Sequence, residues 1–109
     1  MIQSATIPIV VTPDATARVA ELGMQAELDK LLEHAIPTVP GLRSIEVIRE
    51  EEYGTGEEPG VTIQAVIAQP SGTAPAIEWE WSGWFVNSFS PDVCRHFCLL
   101  CRHEARNGR

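Results

Sequence analysis

Three cysteines, Cys94, Cys98 and Cys101, fall within eight residues of one another near the end of the chain, beside His96 and His103. Thiolates and imidazoles hold zinc or iron and, when activated, attack electrophiles. Cys94, Cys98, Cys101 and His103 together offer four donors, enough in number for a tetrahedral zinc site. Which chemistry they can do depends on how the backbone presents them. Ser90-Pro91-Asp92 is a helix-start signal. Ser90 can accept from a free backbone N–H as N-cap, Pro91 loses nothing at the first helical position, and Asp92 complements the helix dipole. From there Val93, Cys94, Phe97, Cys98, Leu100 and Cys101 recur at about 100° per residue on one face. Arg95, His96, Arg102 and His103 take the other face. The pattern predicts an amphipathic helix from Pro91 to residues 103–105, with the sulfurs inward and the histidines in solvent.

The spacing C-x3-C-x2-C resembles the iron–sulfur motif of the radical S-adenosylmethionine enzymes, whose thiolates hold a cluster. The likeness covers those eight residues. In that family the motif lies on a loop near the start of a much longer barrel; here it lies on a predicted helix near the C-terminus. A helix sets three sulfurs along a stripe rather than around one cluster corner. A C-x2-C pair on a helix also lacks the knuckle turn of structural zinc sites, and no second pair follows. A cysteine nucleophile needs a base and access. His96 and His103 are predicted on the far side of the same helix, and His34 reaches it only through tertiary folding. The three cysteines are therefore expected to serve as small buried hydrophobes. No cofactor is expected, and a thiol- or metal-dependent enzyme is the alternative reading. An odd number of clustered cysteines is no disulfide framework and points to a reducing, cytoplasmic setting.

Just upstream lie the three tryptophans, Trp79, Trp81 and Trp84. Ile77, Trp79 and Trp81 alternate with Glu78 and Glu80 as a strand would. Ile77, Trp81, Trp84 and Phe85 sit at i, i+4, i+7 and i+8 as on a helix. Residues 75–88 are longer than a typical strand, and Thr73 and Pro75 suit a helix start, so a helix is expected. Gly83 weakens it by about 1 kcal/mol relative to Ala. In that helix Trp79 and Val86 turn away from the apolar face, which makes them a candidate interaction surface, because exposed aromatics supply large rigid contact area.

The net charge of −7 is unevenly placed. Residues 46–80 hold eight glutamates and one arginine, whereas residues 95–109 hold four arginines and one glutamate. The loop around residues 51–60 is glycine-rich and carries Glu51, Glu52, Glu57 and Glu58. Its carboxylates do not follow EF-hand spacing, and Gly54-Thr55-Gly56 is not followed by the Lys-Ser/Thr of a phosphate loop. An acidic loop of this kind can be offered to a basic protein partner. The charge argues against nucleic-acid binding, which needs clustered Lys and Arg. No stretch approaches the ~20 apolar residues of a membrane span, and no signal peptide is expected.

The remaining elements position these candidates. Residues 5–11 read as a strand, confined to a sheet edge or broken by Pro8. Thr12-Pro13-Asp14 repeats the cap chemistry and opens a helix over residues 13–35. Its buried stripe is expected to be Ala17, Ala20, Met24, Leu28, Leu31, Leu32 and Ala35, with a possible bend at Gly23. Residues 42–50 and 61–68 alternate as strands and pair as a hairpin, with Glu46, Ile48, Thr62, Gln64 and Val66 sharing one face. The predicted fold is a two-layer α+β domain, β-α-β-β-α-α, with an antiparallel sheet of two or three strands and helices on one face. The 109 residues suit a single domain with a frayed tail at 106–109. The function expected is a small non-catalytic protein-binding or regulatory module. Its partner is a protein, either a second copy or an acid-seeking basic one.

Overall fold

The computed structural model describes residues 7–50, 59–70 and 72–104. In chain order the elements are β1 (Ile9–Val11), α1 (Pro13–Leu22), α2 (Gln25–Thr38), β2 (Leu42–Glu50), β3 (Gly60–Ile67), α3 (Ala74–Ser88), α4 (Pro91–Cys94) and β4 (Phe97–His103). The class is α+β, as the sequence pattern implies. The sheet, however, has four strands in the order β1-β2-β3-β4. It is mixed rather than antiparallel: β1 runs parallel to β2 and β3 parallel to β4, and only the central β2–β3 pair is antiparallel. The chain is thus two β-α-β units joined by a hairpin.

The first unit is built around a broken helix. Thr12 caps α1 by accepting from the Ala15 N–H at 3.2 Å, and Pro13 fills the first turn. The single helix expected over 13–35 is interrupted at Gly23, which takes φ 69°. The Gly23 N–H donates to the Ala20 carbonyl and the Met24 N–H to the Val19 carbonyl. This is the Schellman pairing that ends a helix on a left-handed residue, where glycine meets no Cβ penalty. The break changes the helical phase. Ala15 and Val19 are buried in α1, and Ala17 and Ala20 are exposed, contrary to expectation. Beyond the break, Met24, Leu28, Leu31 and Ala35 are buried as predicted. The second helix continues through Pro37 to Thr38, whose hydroxyl donates to the His34 carbonyl at 2.6 Å.

The second unit departs furthest from the sequence reading. Ser90 caps α4 by accepting from the Val93 N–H at 3.4 Å, and Pro91 and Asp92 follow as expected. The helix then ends after Cys94, and Phe97–His103 runs as a strand, not as the amphipathic helix predicted from Pro91 onward. Phe97, Leu99 and Cys101 face the helices, while Cys98, Leu100 and Arg102 alternate to the other side. The apolar residues fit both periods, and the parallel ladder on β3, from Val61–Phe97 to Ile67–His103, decides between them. The expected element order therefore gains a terminal strand. His96, expected in solvent, is buried at the turn before β4, where its Nδ1–H donates to the Asp92 carbonyl at 2.8 Å.

The core lies on one face of the sheet. Ile45 and Val47 of β2, Val61, Ile63, Ala65 and Ile67 of β3, and Phe97 and Leu99 of β4 pack with residues of α1, α2 and α3 in one cluster. Glu46, Ile48, Thr62, Gln64 and Val66 share the opposite face, as expected. Thr62 is nonetheless only 1% exposed, and its hydroxyl lies 3.8 Å from the Cys98 sulfur. Both crossovers step the same way across the sheet while their strands run in opposite directions. Since both lie on the same face, the two must have opposite hands. One of them runs against the right-handed rule that holds for about 98% of such connections.

Candidate interaction surface

The α3 helix presents four different sides to four different surroundings. Trp81 and Phe85 point into the core, with their rings 5.1 Å apart. No described residue accepts from the buried Nε1–H of Trp81, which costs the fold about 1–3 kcal/mol. On the flank toward α2, Trp84 stacks on His34 with ring centroids 3.6 Å apart and planes 6° from parallel. Burial holds the His34 imidazole below its ordinary pKa, which favours the neutral ring in the stack. On the flank toward β4, the Glu78 carboxylate accepts from the Cys101 backbone N–H at 2.8 Å. The even-numbered residues of β4 bond to β3, since the His96 carbonyl accepts from Val61 and the Glu104 N–H donates to Ile67. Cys101 N–H is therefore an outward group of an edge strand, and Glu78 reaches over the rim to satisfy it.

The fourth side faces solvent. Trp79 is 81% exposed and Val86 60% exposed. They lie seven residues apart, within about 20° of each other around the helix axis. Both are placed as the helical reading predicted, and residues 74–88 are a helix rather than a strand. Between them sits Gly83. A Cβ built there meets nothing within 4 Å, so no contact inside the chain requires glycine at this position. It costs the helix about 1 kcal/mol relative to Ala all the same. The Asn87 side chain donates back to the Gly83 carbonyl at 2.8 Å, covering backbone that a side chain would otherwise shield. The outer stripe reads Pro75, Ala76, Trp79, Ser82, Gly83, Val86 and Asn87, every one exposed and none charged, with the exposed Glu80 at its edge, about 20° beyond Asn87.

Shallow grooves flank α3. One of about 420 Å³ is lined by His34, Thr38, Ile77, Glu80 and Trp81. A wider one of about 700 Å³ is lined by Lys30, Glu33, His34, Trp84, Ser88 and Phe89. A third, about 340 Å³, continues the outer stripe past the end of the helix along Val86, Pro91, Cys94 and Arg95. The first two share His34, whose stack on Trp84 the sequence pattern did not single out.

The cysteines are dispersed. Cys98 and Cys101 lie three apart in a strand and so face opposite sides of the sheet. Cys94 sits on α4 with its sulfur 3.7 Å from both the Phe85 and Phe89 carbonyls. His103 is exposed, with Nδ1 3.1 Å from the Gln69 carbonyl. Burial raises the Cys94 thiol pKa, and burial with the nearby Glu78 carboxylate pushes Cys101 up to about 11. Both shifts disfavour the thiolate that nucleophilic or metal-binding chemistry requires. Among the described residues no group of three or more His, Cys, Asp or Glu side chains is placed to hold a metal ion. Glu51, Glu52, Glu57 and Glu58 of the acidic loop lie outside the described residues. Among the described residues no helix is long and apolar enough to cross a membrane. Comparison with protein-family models, curated proteins and solved structures finds no match to the chain.

Proposed function

We propose that the chain is a small non-catalytic binding module that contacts a protein partner through the outer side of α3. One observation carries this reading: a tryptophan left 81% exposed within a helix stripe that has no charge along four turns. A solvent-facing helix normally carries charged and polar residues along its outer side, and the outer side of α3 has a tryptophan and a valine there instead. Trp79 supplies rigid contact area of the kind that dominates protein interfaces, and Val86 extends it. The net charge of −7 supports a protein rather than a nucleic acid as the partner. The free cysteines support a reducing compartment such as the cytoplasm.

Photo-crosslinking in the native cell tests this reading. A photoactivatable residue in place of Ser82 is expected to yield protein adducts. The same residue in place of Ala17, on the exposed side of α1, is expected to yield none. Equal adducts from both positions, or none from position 82, would sink the proposal.

A further inference from the structure

Resting on that reading, we infer that the partner on α3 is a second copy of this chain, docked with the two α3 helices antiparallel. The outer stripe is complementary to itself. A two-fold axis level with Trp81 places residue i of one copy level with residue 162 − i of the other. Trp79 then stands level with Gly83 of the second copy, and Val86 with Ala76. Both large exposed residues of the stripe thus meet a small one. This gives Gly83, which nothing inside the chain requires, a physical role: it is the recess for the indole of the facing copy. A two-fold interface uses one patch twice, so a stripe holding both the projection and its recess is what such an interface needs.

Charge along the stripe is compatible with the same occupant. The stripe is neutral, so neither a basic nor an acidic partner finds an ion pair along it. In the two-fold arrangement Glu80 stands level with Ser82, two residues along the axis from its own copy, so the two Glu80 carboxylates share one solvent-exposed edge of the seam rather than its centre. The remaining repulsion is long-range, between two bodies of net charge −7. Salt screens it. Area sets the strength. Two buried tryptophans contribute about 300–500 Å² at roughly 150–250 Å² each. The rest of the stripe brings the total toward the ~1,000 Å² lower bound of specific interfaces. The dimer is therefore a weak one that depends on concentration.

Sedimentation equilibrium of the purified full chain tests this. The wild type is expected to move from monomer to twice the monomer mass with rising concentration, and to associate more tightly as salt rises. Trp79→Ser and Gly83→Trp are each expected to weaken association at least tenfold, the first by removing the projection and the second by filling its recess. The exchanged double variant, Trp79→Ala with Gly83→Trp, is expected to recover most of that loss, because the projection and recess trade places within the same symmetry. Circular dichroism confirms that each variant folds, and Gly83→Leu replaces Gly83→Trp if the latter does not. A wild type that stays monomeric at the highest attainable concentration overturns the inference. So does an exchanged variant no better than the Gly83 variant alone. A monomeric chain whose position 82 still crosslinks to a different protein would leave the binding-module reading standing and remove only the self-contact.

Discussion

The two β-α-β units of this chain solve the same topological problem with different helices. In the first, α1 and α2 bury Val19, Leu28 and Leu31 and expose Glu21, Asp29, Lys30 and Glu33. That is a helix pair with one dry side and one wet side. In the second, α3 buries Trp81 and Phe85 but turns Trp79 and Val86 to solvent. Its two carboxylates sit on its flanks, and one of them, Glu78, is used on a backbone amide of β4. Both units pack on the same sheet, so the sheet does not account for the difference. The outer side of α3 exposes a tryptophan and a valine where that of α1 and α2 exposes charge.

The sharpest way to break this contrast is to truncate α3 on each side. Phe85→Ala is expected to lower unfolding free energy by about 3–5 kcal/mol, whereas Trp79→Ala is expected to change monomer stability by no more than about 0.5 kcal/mol. Urea unfolding at low protein concentration reads both, and comparable losses would erase the distinction between the two sides. A smaller effect is expected at the flank. Glu78→Ala leaves the Cys101 N–H without its charged acceptor, at a cost of about 1.5 kcal/mol, the low end for such a bond because the carboxylate is half-buried. Glu78→Gln should bring the Cys101 thiol down from about 11 and speed its alkylation at mildly alkaline pH. The sign of the linked pH effect follows. A thiol whose folded pKa is raised stabilises the fold fully below its ordinary value of 9.0, and that stability is lost as pH rises through about 11. An alkaline denaturation series that shows no such loss would count against the burial of Cys101. The smallest effects belong to the caps. Thr12→Ala and Ser90→Ala are each expected to cost about 1 kcal/mol. Thr12 should cost more, since it starts a helix of ten residues and Ser90 one of four.

The legible parts of the sequence were those with one dominant period. The alternation in residues 42–50 and 61–68 gave both central strands, their shared faces and their antiparallel pairing. Trp79 and Val86 followed from choosing the helical phase for residues 75–88. Two other regions were read wrongly for identifiable reasons. The unbroken apolar run from Phe97 to Cys101 supplies both a helical stripe (Phe97, Cys98, Leu100, Cys101) and a strand face (Phe97, Leu99, Cys101), and the ladder on β3 is a long-range contact that local spacing cannot register. In α1 the inner side was assigned by extending the phase of α2 backward through Gly23, where a left-handed residue resets it. The His34–Trp84 stack joins residues fifty apart in sequence, and only the packing of α2 on α3 brings them together.

The carboxylate of Glu78 has one more consequence. By occupying one outward amide in the middle of β4, it interrupts the row of free groups that an incoming extended segment would pair with, and exposed rims of this kind are where fibrils recruit chains. Growth by strand addition is thus hindered at the edge beside α3. Removing that carboxylate would open a route to irreversible aggregation in the same place.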